Sequence, residues 1–254
     1  REQTLDNAGF KAALARLDHG ELVALPWQVR SSGMEESGAA AVRLGAVGRA
    51  WAYRFERTIT LSAEQATIHF AYALSNDAEI PLPFLWAMHP LLHVEPGMRI
   101  ELRQGAPMRI AAMIGGRSAS SASGAAAAFD WPTAPSGEDV SLVPDPADPA
   151  FEPRAMKLFT AAGAVDRAAV LSPASDERFE LAFRAGDVPL LGLWLNWRGW
   201  SGAGGQPYFN LGPEPTTAAC DGLDEAVAQG AARVLGPHAT TRWHVVLGLS
   251  FPLI

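Results

Sequence analysis

Residues 53–61 read Tyr-Arg-Phe-Glu-Arg-Thr-Ile-Thr-Leu, with apolar side chains at 53, 55, 59 and 61 and polar ones between them. The alternation resumes at residues 67–74, Thr-Ile-His-Phe-Ala-Tyr-Ala-Leu, after a polar stretch around residues 62–64. A period of two is the spacing of side chains that share one face of a β-strand. Two such runs joined by a short turn predict a β-hairpin with one buried face.

The same pattern recurs toward the C-terminus, at residues 179–183 and 243–249. Helical patterns are short: residues 11–17 have some amphipathic spacing, and residues 221–229 predict a helix capped by Asp221. The 24 Gly and 19 Pro lie mostly between the alternating runs, which is typical of many turns joining short strands. We therefore expect an all-β fold with few short helices, formed by residues 1–254 as a single domain.

Composition and charge exclude several classes of partner. The formal net charge is −7, and the 20 Lys and Arg form no local cluster, so neither nucleic acid nor a membrane surface is an expected partner. No apolar run approaches the roughly 20 residues that span a bilayer. Cys220 is the single cysteine, which rules out an intramolecular disulfide and a metal site built on paired cysteines. We expect a cytoplasmic location, and neither a metal nor a cofactor.

The first candidate for chemistry is a histidine at the end of an apolar run. Residues 81–90 read Pro-Leu-Pro-Phe-Leu-Trp-Ala-Met-His-Pro, which places His89 close to Trp86 and directly before a proline that limits further sheet pairing. Such a histidine can face a cleft, although a hydrogen-bonded core histidine fits the local sequence as well. A zinc site at His89 and His93 is disfavoured, because Pro90 stands where the zinc-protease helix motif has glutamate.

The second candidate is Glu214, which lies between two prolines in the stretch Leu-Gly-Pro-Glu-Pro-Thr-Thr at residues 211–217. A stiff backbone suits a general base, since a misplacement of about 1 Å can cost a hundredfold in rate. A structural glutamate would have the same local sequence. Upstream, residues 194–200 contain three tryptophans, and aromatic rings stack on the apolar faces of sugar rings. Trp194 and Trp197 fall on opposite strand faces, and of these we expect Trp197 to line the site.

The third candidate is His19, in the turn-like sequence Asp-His-Gly-Glu at residues 18–21. Either neighbouring carboxylate could fix the tautomer of this imidazole. A histidine that simply faces the solvent is the alternative.

In this order, the segments 18–21, 83–90 and 211–217 resemble aldose 1-epimerases of the galactose mutarotase-like superfamily. The resemblance implies a large antiparallel β-sandwich of the supersandwich type. It also implies that His19 contacts substrate hydroxyls, that His89 protonates the sugar ring oxygen, and that Glu214 removes the proton from the anomeric hydroxyl. Trp86 and Trp197 are expected to add aromatic contacts with the sugar.

The function implied is interconversion of the anomers of a small-molecule aldose, without metal or cofactor. Two alternatives stay open: a non-catalytic sugar-binding or regulatory protein of the same fold, and a hexose-6-phosphate 1-epimerase. The latter would need cations at one end of the cleft, for which Arg16, Arg57 and Arg198 are the candidates. The family's longer segment before the first histidine, with its substrate-binding arginine, has no counterpart here, which leaves open a missing N-terminal segment. The motifs do not indicate an oligomeric state.

Overall fold

The hairpin predicted at residues 53–74 is present in the computed structural model, which describes residues 19–115, 127–202 and 205–251. Strand β3 (Tyr53–Leu61) pairs antiparallel with β4 (Thr67–Asn76), and Phe55 lies opposite Leu74 in the register. The apolar face is buried at Tyr53, Phe55, Tyr72 and Leu74, whereas Leu61 at the far end is exposed. The alternation therefore predicted the strands and their shared face, but not where along the hairpin burial ends.

The chain divides into two compact units: unit 1 comprises the residues up to Phe84 together with Asp221–His244, and unit 2 comprises Leu85–Cys220 together with the residues from Val245. The last strand, β16 (Thr240–Ser250), contributes its first half to unit 1 and its second half to unit 2. A single domain over residues 1–254 stays a prediction.

Unit 1 is built on a meander. Strands β1 (Gln28–Met34), β2 (Ala40–Val47), β3 and β4 pair antiparallel in sequence order, and the first residues of β16 lie beside β4. A two-stranded ribbon pairs β5 (Leu82–Phe84) with β15 (Arg233–Leu235). The ring of Phe55 packs against Trp27, Tyr72 and Trp243, at centroid distances of 5.9, 6.0 and 5.9 Å. This aromatic cluster forms the core of unit 1.

The helices of unit 1 are short, as the sequence predicted. A 3₁₀ helix occupies Glu21–Val23, and helix α1 spans Leu223–Ala228. The expected cap is wrong: Gly222 occupies the N-cap position of α1, with no side-chain cap hydrogen bond, and Asp221 precedes it. The helix expected at residues 11–17 lies outside the described residues. Among the described residues, no helix has the length and apolar character needed to cross a membrane.

Unit 2 contains two antiparallel sheets. The strands of the larger sheet lie in the order β6 (Leu92–His93), β14 (Phe209–Thr216), β13 (Leu190–Trp197), β10 (Arg154–Thr160), β8 (Pro107–Gly115) and β9 (Ala128–Asp130). In the smaller sheet the second half of β16 pairs with β12 (Glu177–Phe183), followed by β11 (Arg167–Ser172) and β7 (Arg99–Glu101). These bounds confirm strands at both alternating runs near the C-terminus.

The central strands of the larger sheet are buried almost along their whole length, because both of their faces are covered. One face is mostly apolar and supplies fully buried side chains such as Leu158, Leu193, Leu195 and Leu211. The opposite face carries polar groups and glycines. A sheet that buries polar groups in its middle must supply partners for them, and the candidate site lies on this polar face.

Candidate active site

The polar face of the larger sheet is defined by the register of β14 on β13. Glu214, Gly212 and Asn210 of β14 lie opposite Gly192, Trp194 and Asn196 of β13. Because side chains alternate along a strand, these six residues share one face. The face combines one carboxylate, two glycines, two amides and one aromatic ring.

His89 is placed by a segment that runs antiparallel along β14. Ala87 is bridged to Thr216, and farther along Leu92 pairs with Leu211 in the same register. This register brings His89 opposite Glu214. The segment is anchored at Trp86, whose backbone N–H donates to Thr217 Oγ1 at 2.9 Å and whose carbonyl accepts from the Thr217 N–H, also at 2.9 Å. The Trp86 motif and the Glu214 motif are therefore bound to each other by their backbones.

His89 and Glu214, the residues expected to act as acid and base, lie next to each other. Nε2 of His89 lies 3.3 Å from Oε1 of Glu214, and the two side chains are 30% and 5% exposed. The distance permits an ion pair when His89 is protonated, but within the described part of the chain Oε1 has no hydrogen-bond partner of good geometry. A buried carboxylate oxygen left in this condition is expected to have a partner in the working state of the protein.

Two glycines lie beside this carboxylate, and neighbouring side chains pack closely against both of them. A Cβ placed on Gly212 would lie 3.3 Å from Glu214 Oε1, 3.3 Å from Trp194 Cβ and 3.4 Å from His89 Cε1. A Cβ on Gly192 would lie 3.5 Å from Glu214 Cβ. Gly212 thus marks the point where the carboxylate, the imidazole and an aromatic side chain converge, and its lack of a side chain allows the three to pack this closely.

The aromatic contact predicted for Trp197 needs correction. Trp197 lies on the face opposite Glu214, is 1% exposed, and packs on Phe209 with ring centroids 5.3 Å apart. The tryptophan on the Glu214 face is Trp194, which is only partly buried. The strand period separates two faces, and the face that carries Trp197 packs in the core instead of lining the site.

Trp194 begins an aromatic row on the site face. Its ring meets Trp200 edge to face at 5.8 Å, and Trp200 in turn contacts Tyr208 at 5.9 Å. Asn196 holds Trp200 in place, because its side chain accepts from the Trp200 N–H at 3.1 Å and donates to the Trp200 carbonyl at 2.9 Å. Trp200 and Tyr208 are 38% and 46% exposed, so both rings are accessible to a ligand.

Lys157 is a site residue that the sequence did not reveal. Its Nζ donates to Oε2 of Glu214, and the two side chains are 6% and 5% exposed. Lys157 lies on β10 and Glu214 on β14, with β13 between them. The β13 residue opposite Glu214 is Gly192, which has no side chain to separate the pair. No local signal marked Lys157, since its neighbours Met156 and Leu158 are apolar and form no polar motif with it.

The remaining predicted residues have the following places. His19 lies in unit 1, is exposed and has a φ of 68°, so its contact with a substrate stays a prediction. Nearby, Glu21 Oε2 accepts from the backbone N–H groups of Arg49 and Ala50, at 3.1 and 3.2 Å. Trp86 is 7% exposed, and its contact with a sugar also stays a prediction.

The arginines expected for a sugar phosphate, and possible metal ligands, also have defined places. Arg57 lies in unit 1 over the ring of Trp27 at 4.8 Å, Arg198 is exposed, and Arg16 lies outside the described residues. In the described ranges, no group of three His, Cys, Asp or Glu side chains is placed to hold a metal ion. A surface cavity of about 690 Å³, lined by loop residues such as Pro96 and Phe151, does not include the His89 and Glu214 pair.

Comparison with known proteins identifies the fold. The structure is similar to the Slr1438 protein of Synechocystis sp. PCC 6803 (TM-score 0.63, 16% identity), to a suspected aldose 1-epimerase of Escherichia coli K12 (0.60, 16%) and to a galactose mutarotase-like protein of Clostridium acetobutylicum (0.61, 13%). The matches cover 92% of this chain and 68%, 71% and 69% of those chains, respectively. The sequence itself matches no protein-family model and no curated protein.

These similarities define the class of protein: an all-β, antiparallel β-sandwich. More specifically, the chain has the galactose mutarotase-like fold, which confirms the fold class predicted from the sequence. At identities of 13 to 16%, the likeness establishes the fold and leaves the activity to be argued from the site.

Proposed function

We propose that this protein is an aldose 1-epimerase-like isomerase that interconverts the anomers of an aldose. The observation that carries the proposal is the buried Oε1 of Glu214, which lies 3.3 Å from Nε2 of His89 and has no well-formed hydrogen bond in the described part of the chain. Anomer exchange needs a base at the anomeric hydroxyl and an acid at the ring oxygen, and both of these oxygens are bonded to one carbon. The acid and the base must therefore lie close together, as these two groups do.

The proposed reaction is a balanced proton exchange. Glu214 Oε1 accepts the proton of the anomeric hydroxyl, the bond between the anomeric carbon and the ring oxygen breaks with its electron pair moving to that oxygen, and protonated His89 donates a proton there. The product is the open-chain aldehyde. Rotation about the bond next to the carbonyl, followed by the reverse transfers, closes the ring as the other anomer. Each proton transfer of this kind contributes about 10² to 10⁴ in rate.

The groups around the pair are suited to holding a sugar. Trp194 presents a partly exposed aromatic side chain on the same face as Glu214, and the apolar face of a sugar ring can stack on it. Asn210, on the same face, has a buried Oδ1 without a hydrogen-bond partner in the described residues, and it can accept from a sugar hydroxyl. We therefore propose Trp194 and Asn210 as substrate contacts, and contact of His19 with the substrate stays a prediction from the sequence. A cytoplasmic location and the absence of metal and cofactor stay predictions.

The test is an anomer-exchange assay on freshly dissolved aldoses and their 6-phosphates, followed by polarimetry or NMR exchange spectroscopy, with the buffer-only rate subtracted. We expect the wild-type protein to exceed the background on at least one aldose, and Glu214→Gln to lower that excess by about 10² or more with little change in binding. Glu177→Gln, at an exposed position of unit 2, is the matched control and should retain full activity.

The alternatives correspond to other outcomes of this assay. A protein that binds a sugar tightly but never exceeds the buffer rate would be a sugar-binding or regulatory protein. Activity confined to 6-phosphates would indicate a hexose-6-phosphate 1-epimerase. Either result would overturn the proposal in its present form.

A further inference from the structure

Lys157 is a buried cation with a defined target. The chain contains two lysines, Lys11 and Lys157, against 18 arginines. Lys157 is 5% exposed, its Nζ contacts Glu214 Oε2, and it also lies 5.4 Å from the ring centroid of Phe159. A compact ammonium can approach one carboxylate oxygen as a point charge, whereas a guanidinium would engage both oxygens with its planar fork.

Because of this contact, the two carboxylate oxygens of Glu214 have different neighbours. Oε2 is occupied by Lys157, and Oε1 faces His89 and lies beside Gly212. Resting on the function proposed above, we infer that Lys157 is the positioning residue of the site: it holds Glu214 as a carboxylate and directs Oε1, and only Oε1, toward the substrate. The cation acts through Glu214 and does not itself touch the reacting atoms.

The electrostatic reason is the burial of the carboxylate. A buried carboxylate without a cation is costly, and it lowers that cost by taking up a proton, which would abolish its action as a base. The charged or titratable groups around Glu214 are Lys157 from β10 and His89 from the segment along β14, while the β13 residue opposite is Gly192. Arg109 of β8 packs on the ring of Phe159, with its guanidinium 5.3 Å from the ring centroid, and donates to the Ala219 carbonyl. Lys157 is thus the permanent cation nearest to the carboxylate among the described residues.

The rival explanation is that the lysine stem is needed only for packing. A double-mutant cycle measured by thermal unfolding, called the unfolding cycle below, distinguishes packing from pairing with Glu214. Lys157→Met keeps most of the apolar stem but leaves the Glu214 charge buried without its cation, which should lower the Tm at pH 8 by about 10 °C. Adding Glu214→Gln should restore most of this loss. Losses that are additive, or a Lys157→Met protein as stable as the wild type, would overturn the inference. If Lys157→Met fails to fold, a folded double variant supports the inference and an unfolded one opposes it.

The pH dependence of kcat/KM is a second test. If Lys157 only packs, its replacement should not shift this pH dependence. Without the cation the buried carboxylate takes up a proton more readily, so the acidic limb of the profile should shift to higher pH by about one pH unit or more in Lys157→Met. A profile that falls in height without shifting would contradict the inference. The unfolding cycle requires no activity, so a protein without epimerase activity would refute the proposed function while the cycle still decides the role of Lys157.

Discussion

Nε2 of His89 and Oε1 of Glu214 lie 3.3 Å apart because residues 87–93 and strand β14 run antiparallel in one register. The pairing of Ala87 with Thr216 and of Leu92 with Leu211 leaves His89 opposite Glu214, although Pro90 interrupts the ladder between them. Backbone pairing on both sides of the histidine holds it in place, so the geometry of the pair is determined by the sheet. Preorganisation of this kind is what proton transfer requires.

Replacing His89 by Asn should remove the proposed acid while keeping a polar side chain of similar size. We expect the rate of anomer exchange above background to fall by about 10² or more, because the ring oxygen then leaves without a proton donor. NMR exchange spectroscopy on the substrate found for the wild type measures the rate. His93→Asn is the control, since His93 lies on the same segment but its side chain is 84% exposed and faces Glu95. Equal losses in the two variants would argue against a specific role for His89.

Gly212→Ala should impair activity more than stability. The added methyl group would lie 3.3 Å from Glu214 Oε1 and 3.4 Å from His89 Cε1 and would displace the proposed base and acid, while a strand tolerates alanine as well as glycine. We expect kcat/KM to fall by about tenfold or more and the Tm to change by less than about 4 °C. Gly186→Ala is the matched control, because a Cβ at that position meets nothing within 4 Å. A fully active Gly212→Ala protein would place the substrate elsewhere.

Trp194 and Trp197 form a pair of opposite predictions. Trp194→Ala should weaken sugar binding by about five- to tenfold, the usual value of one aromatic stacking contact, with a modest loss of stability. Trp197→Ala should lower the free energy of unfolding by about 3 to 5 kcal/mol, because it empties a fully buried position. Isothermal calorimetry and urea denaturation measure the two effects. A Trp197→Ala protein of normal stability and impaired binding would reverse the assignment of the two faces.

Ionisation of Tyr72 should lower the free energy of unfolding at alkaline pH. Burial raises the pKa of Tyr72 to about 12, partly offset by Arg57, whereas a free tyrosine has a pKa near 10. Because the raised pKa disfavours the charged form in the folded state, this contribution is fully present below pH 10 and is lost as the pH rises from about 10 to 12. Urea denaturation across this range should show a shallower loss of stability for Tyr72→Phe than for the wild type. Identical slopes would contradict the assignment. Tyr53, whose pKa is raised by burial and by its hydrogen bond to Glu21, adds a loss of the same sign in both proteins.

The strands, and His89 and Glu214 as candidate site residues, were predictable because their signals are local. Alternation at residues 53–61 requires only neighbouring residues, and a β-strand shows it wherever one face is buried. His89 and Glu214 stand in short stiff segments bounded by prolines, so each could be recognised without knowing its partner. The predicted cap at Asp221 failed for the corresponding reason: the first turn of a helix is defined within one or two residues, which a pattern of periodicity does not resolve.

The tertiary structure decided which face of each strand carries the candidate site and which cation contacts the proposed base. A period of two shows that Trp194 and Trp197 lie on opposite faces, but only the pairing of β13 with β10 and β14 determines that the Trp197 face is covered by the core. Lys157 meets Glu214 across the intervening strand at a glycine, a contact between residues far apart in sequence. The sequence by itself therefore determined the all-β fold and the two proton-transferring candidates. Strand register determined that Lys157 contacts the carboxylate and that Trp194 shares its face. Register could not be predicted from local sequence, because it depends on pairing between segments that are distant in the chain.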